Sequence, residues 1–318
     1  MPKVSIVLPN YNYARYLDER IQSLLNQTYS DFELIILYDA STDNSIEVIE
    51  KYTGDTRVTT KFYSENSGLP YKRWNDGADL SQGEYLLIAG ADDSCHPMLL
   101  EKLVEKLDAH PSVGLAFSQS LETDINGNYV CSLIEWTNHL DQERWKADFV
   151  EKGKNELQYL LFQCTIPTAS SVLMRREVFI KAGKFDVNLR LAADYLLWIK
   201  MLTISDIAFI AEPLNYFRRH VGTVTSSVSK NGVQLEEILL VKQYLIKHFG
   251  SNFSKQDIEK AWTGCREEWF HLLVYSPRQV GLNRNLKIYR ALSEVDSKIA
   301  VTTLLKGTKR LLSKLLCS

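Results

Sequence analysis

The sequence predicts a protein of the α/β class, with a mixed, mostly parallel sheet followed by a helical extension at the carboxyl end. Two consecutive units, residues 4–27 and 32–52, each place a short apolar run before a segment with helical spacing of apolar residues. Polar residues follow each run directly, and from residue 223 onward the sequence turns to helix. Strand and helix units in succession indicate parallel strands joined by right-handed crossovers, the arrangement of a Rossmann-like sheet.

The first half supplies four predicted strands. They are residues 4–8, 32–38, 58–63 and 85–89. The first is followed by the loop P-N-Y-N and a helix over residues 14–27, and the second by the loop D-A-S-T-D and a helix that carries Ile46 and Ile49. The third ends at the turn N-S-G.

The fourth strand is the element around which the other motifs are arranged. Residues 83–97 have the sequence G-E-Y-L-L-I-A-G-A-D-D-S-C-H-P, an apolar run that ends in two adjacent carboxylates. A run without polar alternation is typical of a strand buried on both faces. Pro97 begins the next helix, so Asp92 and Asp93 lie in the loop where ligands of open α/β sheets bind. Helix capping is the alternative role for an isolated Asp-Asp pair.

The second half is predicted to be partly antiparallel. Residues 125–129 contain the Asn-Gly pair of a tight hairpin. A helix near residues 156–162 precedes a segment that ends in a strand, and a further helix has Asp194 at its opening. The last strand covers residues 207–217 and closes with Arg218-Arg219-His220.

Length and charge limit the class of protein. A chain of 318 residues is too long for one compact core. We therefore predict a first domain over residues 1–222, with halves 1–118 and 119–222, and a helical domain over residues 223–318. A net charge of −2 leaves no excess of Lys and Arg to neutralise phosphates, which argues against a general role in nucleic-acid binding.

Cysteine usage and hydropathy predict the compartment. Five cysteines, widely spaced and without a C-x-x-C motif, fit a reduced compartment and exclude a common structural zinc pattern. No apolar run is long enough to cross a bilayer, and no signal peptide precedes the first strand. We expect a cytoplasmic protein whose only membrane contact is peripheral, at the inner face of the cell membrane.

Several motifs along residues 4–220 occur in the order found in one enzyme family. They include V-S-I-V-L-P-N-Y-N as an opening strand, Y-D-A-S-T-D in place of a D-D-G-S-T-D loop, and E-N-S-G in place of an N-x-G turn. G-E-Y-L-L-I-A-G-A-D-D corresponds to a D-x-D strand, and F-D-V-N-L-R-L-A-A-D-Y-L-L-W to a segment that carries a catalytic base. Together these motifs resemble the inverting nucleotide-sugar glycosyltransferases of family 2, which have the A-type glycosyltransferase (GT-A) fold.

The resemblance implies a metal site. A divalent cation, Mn2+ or Mg2+, would stabilise the charge that develops on a diphosphate leaving group, and hard cations take oxygen ligands. Asp92 corresponds to the second aspartate of D-x-D, the metal ligand, whereas Gly90 stands at the first position. Asp93 is a candidate for support of the metal ligand or for contact with the sugar, and helix capping is the alternative. His220 is a candidate for contact with the metal or the diphosphate, and an ordinary surface histidine is the alternative.

The resemblance also implies a nucleotide site at the strand ends. Its residues would be Pro9, Asn10, Tyr11, Asp39 and Arg73, with Lys72 as the alternative to Arg73. Asp39 corresponds to the aspartate that recognises the base, since a carboxylate that accepts from a ring N-H suits uracil or guanine. Uracil is the commoner choice of the family. The ring of Tyr11 is available for stacking on the base, or else it packs on the domain.

Asp194 corresponds to the catalytic base. Single displacement with inversion needs a carboxylate that takes the proton from the attacking hydroxyl. A helix amino terminus would keep this carboxylate ionised. The alternative is a plain N-cap, and Ala193 replaces the Glu that usually precedes this Asp in the family.

The leading prediction is a metal-dependent inverting transferase. It would move a sugar from a nucleotide diphosphate sugar, by family preference a UDP-sugar, to a hydroxyl of a growing or lipid-linked glycan such as a surface polysaccharide. A non-catalytic nucleotide-sugar or glycan binding module remains open, with Gly90 and Ala193 as its support. A nucleotidyltransferase would need a Gly-rich phosphate loop after the first strand, which P-N-Y-N does not provide.

The carboxyl-terminal tail, residues 297–318, has five basic residues and no Asp or Glu, with leucines at helical spacing. This profile is typical of an interfacial helix on anionic lipid. The alternative is that the leucines pack on the catalytic domain or on a second subunit of a homo-oligomer.

Overall fold

The computed structural model describes residues 1–220, 231–275, 277–295 and 298–299. The chain divides into two compact units, Met1–His220 and Val221–Ser318. The predicted membrane or packing role of residues 297–318 falls almost wholly outside the described residues. No helix in the described parts of the chain has both the length and the apolar character needed to cross a membrane.

The first unit is built on one mixed sheet. Its strands are β1 (Val4–Asn10), β2 (Phe32–Asp39), β3 (Val58–Tyr63), β4 (Tyr85–Ile88), β5 (Ser94–Cys95), β6 (Val113–Thr123), β7 (Tyr129–Ser132), β8 (Phe149–Glu151), β9 (Val172–Arg175) and β10 (Asp206–Arg218). Among the described residues the order is β3-β2-β1-β4-β9-β6-β10-β5, with β7 beside β6 and β8 beside β10. The predicted α/β class with a mostly parallel sheet is confirmed.

Helices connect and cover these strands. In the first unit they are α1 (Ala14–Leu25), α2 (Ser45–Glu50), α3 (Pro70–Leu80), α4 (Leu99–Ala109), α5 (Gly153–Leu160), α6 (Arg176–Lys181) and α7 (Ala193–Leu202). The second unit contains α8 (Val233–Phe249), α9 (Lys255–Tyr275) and α10 (Pro277–Ser293), which is interrupted at Gly281, where φ is 71°. Helix α3, with Pro70 in its first turn, was not predicted from the sequence.

Helices pack on both faces of the sheet. Ile6 of β1 belongs to the same buried apolar cluster as Leu17 and Ile21 of α1. On the opposite face, α3 lies against β1 so closely that a Cβ on Gly77 would come within 2.2 Å of Cγ1 of Val7. Because successive side chains of β1 point to opposite faces of the sheet, Ile6 packs against α1 and Val7 packs against α3.

Parallel pairing gathers the chemically interesting residues at one edge of the sheet. Strands β1, β2, β3 and β4 are parallel, β9 is antiparallel to β4 and β6, and β10 is parallel to β6. The carboxyl ends of β1, β2, β4, β6 and β10 and the amino end of β9 therefore share that edge.

The strands at the site differ from the predicted ones in two ways that affect site residues. Pro9 and Asn10, predicted as loop residues, are the last residues of β1, because the ladder continues to pair them with Leu37 and Tyr38. Asp92 and Asp93 lie between β4 and the short strand β5, which the sequence did not predict.

Candidate active site

The loops after β1 and β2 are held together as one surface. Asn12 and Ala40 adopt left-handed backbone conformations, with φ of 61° and 55°. Oδ1 of Asn12 accepts from the amide of Thr42 at 2.7 Å, and Oγ of Ser41 accepts from the amide of Asn12 at 3.0 Å. These cross-links fix the position of Tyr11, whose side chain is 42% exposed.

Asp39, at the end of β2, is buried and fully engaged. Its carboxylate accepts from the hydroxyl of Ser67 at 2.7 Å, from Nδ2 of Asn66 at 3.1 Å and from the amide of Ser67 at 3.0 Å. Nε of Arg73 also donates to it, at 2.5 Å. The N-S-G turn after β3 and helix α3 therefore both close on this carboxylate.

Arg73 is buried and forms an ion pair with Asp39. Its Nη1 donates to Asp76 at 2.7 Å, its Nη2 donates to the carbonyl of Glu65 at 3.0 Å, and its Cζ lies 3.4 Å from the centroid of the Tyr63 ring. All three nitrogens of the guanidinium thus have protein partners. Lys72, the alternative for contact with a diphosphate, is exposed.

Asp92 and His220 lie together. Oδ2 of Asp92 is 3.1 Å from Nε2 of His220, which follows β10. The His220 ring packs against Tyr16 and Tyr13, with ring centroids 5.1 and 5.8 Å away. Burial and the neighbouring charge of Asp92 raise the pKa of Tyr13, so its hydroxyl stays protonated.

Asp93 points into the protein. Its Oδ2 accepts from the hydroxyl of Ser170 at 2.5 Å, and its Oδ1 accepts from the amide of Arg218 at 3.0 Å. Burial and then the charge of Asp92 raise the pKa of Asp93 to about 7. A Cβ on Gly90 would lie 3.1 Å from both Asp93 Oδ2 and Ser170 Oγ. A side chain at Gly90 would therefore crowd Asp93 and Ser170, which would have to move by a few tenths of an ångström.

Two arginines that the sequence analysis did not select complete this cluster. Arg218 donates from Nε to the carbonyl of Asp92 at 2.9 Å and from Nη2 to Glu19 at 2.6 Å, so it ties the Asp-Asp loop to α1. Arg20 is fully buried, and its Nε, Nη1 and Nη2 have no hydrogen-bond partner among the described residues. Its charge opposes the rise in the pKa of Asp93. In the sequence, Arg20 stands out because it is a charged residue within the apolar stripe of α1.

The residues around Asp92 suit a divalent cation that is bound together with a donor. Among the described residues there is no group of three or more His, Cys, Asp or Glu side chains that could hold a metal ion alone. Asp92 and His220 can supply two ligands. Mg2+ in particular usually takes one or two protein carboxylates and completes its coordination with substrate phosphates and water.

Asp194 is the second residue of α7. The N-cap of this helix is Ala192, and Oδ1 of Asp194 accepts from the amide of Tyr195 at 2.7 Å. The Tyr195 hydroxyl donates to the carbonyl of Leu160 at the end of α5. Burial and the charge of Asp194 raise the pKa of the Cys164 thiol. Asp194 is therefore not the N-cap, and it faces the segment that follows α5.

The arrangement of the first unit is that of the A-type glycosyltransferases. The structure of residues 1–349 of TarS from Staphylococcus aureus in complex with UDP-GlcNAc is similar, with a TM-score of 0.65 and 20% identity. The match covers 92% of this chain and 80% of that one. The shared features are the mostly parallel sheet and the carboxyl-terminal helices.

The sequence assigns the family. Residues 5–183 match the family described as glycosyl transferase family 2. The chain belongs to this family and is a glycosyltransferase. An uncharacterised glycosyltransferase of Nostoc sp. is 31% identical over 224 residues, which are 69% of this chain. A poly(ribitol-phosphate) beta-glucosyltransferase of Bacillus spizizenii is 26% identical over 289 residues, which are 85% of this chain. The chain spans 65% and 44% of the lengths of these two relatives.

Proposed function

We propose that this glycosyltransferase moves a sugar from a UDP-sugar to a hydroxyl of a growing glycan, such as a surface polysaccharide, with inversion and with the help of a divalent cation. The observation that carries the proposal is the pairing of Asp92 with His220 at the edge where β4 and β10 end. Ligands of open α/β sheets bind at this edge.

The donor would lie across the ends of β1, β2 and β4. The exposed ring of Tyr11 would stack on the base, and the Pro9-Asn10 strand end would form the floor beneath it. Asp39, held by Arg73 and the N-S-G turn, would recognise the ring N-H of uracil by exchanging one of its present donors. The likeness to a structure solved with UDP-GlcNAc supports a uridine nucleotide.

Asp92 and His220 would hold Mn2+ or Mg2+ when a donor is bound. The bound cation supplies positive charge at the leaving oxygen, where negative charge develops as the bond to the sugar breaks. Asp93 would keep the Asp-Asp loop in place through Ser170 and Arg218, rather than contact the sugar directly.

Asp194 would act as the base. Its carboxylate takes the proton of the acceptor hydroxyl while the acceptor oxygen bonds to the anomeric carbon. The bond between that carbon and the diphosphate oxygen breaks, and the nucleoside diphosphate leaves from the opposite face. One displacement of this kind inverts the anomeric centre.

The structure weakens the case for a binding module without activity. Gly90 was one of its two supports, and a side chain at Gly90 would crowd Asp93 and Ser170 at 3.1 Å. Crowding can therefore explain why glycine replaces the first aspartate of the D-x-D motif, and Asp92 can still bind a cation.

The test is an assay of UDP release from UDP-glucose, UDP-galactose and UDP-N-acetylglucosamine with Mn2+. We expect one of these donors to give UDP, and Asp92→Asn to abolish its release. Release of a sugar 1-phosphate in place of UDP, or release of pyrophosphate when UTP and a sugar 1-phosphate are supplied instead, would indicate a nucleotidyltransferase. Tight binding of UDP with no turnover of any sugar donor, in the presence of diverse glycan acceptors, would indicate a binding module.

A further inference from the structure

Trp136 is an exposed side chain that the protein holds in place. All six tryptophans lie in the described residues, and Trp136 alone is exposed, at 46%. It ends a 3-10 helix, Leu133–Trp136, in which the hydroxyl of Ser132 accepts from the amide of Ile134. The indole Nε1 donates to the carbonyl of Cys164 at 2.7 Å, and Nε2 of Gln163 donates to the carbonyl of Trp136. The indole is thus anchored at its Nε1 edge while the residue remains 46% exposed.

The segment that anchors Trp136 is the segment that Asp194 faces. Helix α5 ends at Leu160, whose carbonyl accepts from the hydroxyl of Tyr195, the residue after Asp194. Four residues further on, Cys164 holds the indole. The charge of Asp194 acts on the same cysteine. A short stretch of chain therefore links the candidate base to the exposed indole.

An indole held in this way suits a sugar ring. Single exposed apolar residues are common and need no explanation. An anchored aromatic ring is different, because it loses little conformational entropy when a ligand covers it. Its face carries partial negative charge, which attracts the C-H bonds on the apolar face of a pyranose.

The charge of the surroundings favours an uncharged acceptor. Residues 120–143 contain no Lys or Arg, and they contain the acidic residues Glu122, Asp124, Glu135, Asp141 and Glu143. Glu122 pairs with Arg219 and Glu143 with Lys146, so this segment offers a phosphodiester acceptor no cationic side chain of its own. An alditol phosphate also has no ring to lie on an indole.

We propose that Trp136 is the stacking platform for a pyranose ring of the acceptor, next to Asp194, and that the acceptor is an uncharged glycan rather than an alditol phosphate polymer. This inference rests on the proposed transferase function. Trp136 binds and orients the acceptor so that one hydroxyl reaches the base.

The test uses the full chain and three soluble probes: methyl β-D-glucopyranoside, methyl N-acetyl-β-D-glucosaminide and ribitol 5-phosphate. Binding is measured by saturation-transfer NMR in the presence of UDP and Mn2+. We expect one or both pyranosides to bind the wild-type protein through the C-H bonds of one ring face. Trp136→Leu should weaken this binding about tenfold, whereas Trp136→Phe, which keeps a ring, should weaken it less.

Affinity for UDP, measured by calorimetry, is the control for folding and should be unchanged in both variants. The proposal would be overturned if wild type and Trp136→Leu bound the pyranosides equally well. It would also be overturned if ribitol 5-phosphate were the only probe that bound. Trp136-dependent binding of a pyranoside with no turnover of any UDP-sugar would leave this site standing while the transferase function failed. If Trp136→Leu turns over a UDP-sugar at the wild-type rate with limiting acceptor, the transferase function stands and the proposed role of Trp136 fails.

Discussion

Nε2 of His220 lies 3.1 Å from Oδ2 of Asp92, although 128 positions separate them in the sequence. Asp92 lies four residues after the end of β4, and His220 lies two residues after the end of β10. The contact therefore depends on the sheet order that brings both carboxyl ends to one edge. A pair of this kind can share a cation. Substitutions of this pair and of Asp194, Asp39 and Asp93 test the role of each side chain.

Asp92→Asn should abolish transfer and remove its dependence on Mn2+, because the substitution strips the charge from a cation ligand. The measurement is the rate of UDP release over a titration of Mn2+. Asp79→Asn is the matched control, since it makes the same chemical change at a side chain that is 61% exposed and pairs with Lys184. Retention of most of the turnover by Asp92→Asn would remove Asp92 from the metal site.

His220→Ala should weaken Mn2+ binding to the protein with UDP by about tenfold or more, the order expected when a metal site loses a supporting group. Electron paramagnetic resonance of free Mn2+ measures this affinity without any turnover. His220→Asn, which keeps a side-chain ligand, should fall between wild type and alanine. Identical affinities in all three proteins would show that His220 only packs between Tyr13 and Tyr16.

Asp194→Asn should lower kcat by a factor on the order of a hundred or more and leave donor affinity unchanged, since it removes a positioned base. The amide oxygen can still accept from the amide of Tyr195, so the stability should stay close to that of wild type. Asp194→Ala loses the base and the hydrogen bond to the amide of Tyr195, and the lost bond should cost about 1 kcal/mol of stability. A kcat of Asp194→Asn near the wild-type value would leave Asp194 with a structural role alone.

Asp39→Ala should weaken binding of UDP and of UDP-sugars equally, because both contain the base. It also removes one of the two carboxylates that pair with the buried guanidinium of Arg73 and leaves Asp76 as the other, which costs on the order of 1–3 kcal/mol of stability. The double variant Asp39→Ala/Arg73→Ala should recover part of the stability and none of the affinity. Wild-type affinity of the folded Asp39→Ala protein for UDP would place the base elsewhere.

Asp93→Asn should change how stability depends on pH in the absence of divalent cations. The pKa of Asp93 is raised to about 7, from an ordinary value of 3.8, by burial and by Asp92. Between these two values the unfolded chain has lost the proton and the folded protein keeps it, so the free energy of unfolding of wild type falls as the pH rises. The variant has no carboxyl proton at this position, so its free energy of unfolding does not fall in this way. The difference between the free energies of unfolding of variant and wild type should therefore increase by up to about 4 kcal/mol between about pH 4 and 7. Urea unfolding in EDTA measures both proteins, and parallel pH profiles would contradict the assignment.

The positions of the strand-end residues could be predicted from sequence because each lies next to an apolar run. The Asp-Asp pair begins four residues after the end of β4, and Asp39 ends β2, so each position could be placed from its strand. Pro9 and Asn10 were misjudged as loop because both are turn formers, yet parallel pairing with β2 extends the strand through them. The short strands β5 and β8 have too few residues to show any periodicity.

The network around Asp93 could not be predicted because it joins distant positions. Ser170 and Arg218 reach Asp93 across 77 and 125 residues of sequence. Their side chains belong to a loop and a strand end with no motif of their own. Arg20 could have been found, since a charged residue in the apolar stripe of α1 requires an explanation.

Calorimetric titration of UDP into the wild-type protein, once with Mn2+ and once with EDTA, tests the central claim most directly. If Asp92 and His220 hold a cation against the diphosphate, Mn2+ should tighten UDP binding by about tenfold or more, and Asp92→Asn should bind UDP equally in both buffers. Equal affinity of the wild-type protein for UDP with Mn2+ and with EDTA would contradict a metal-dependent donor site at this edge of the sheet.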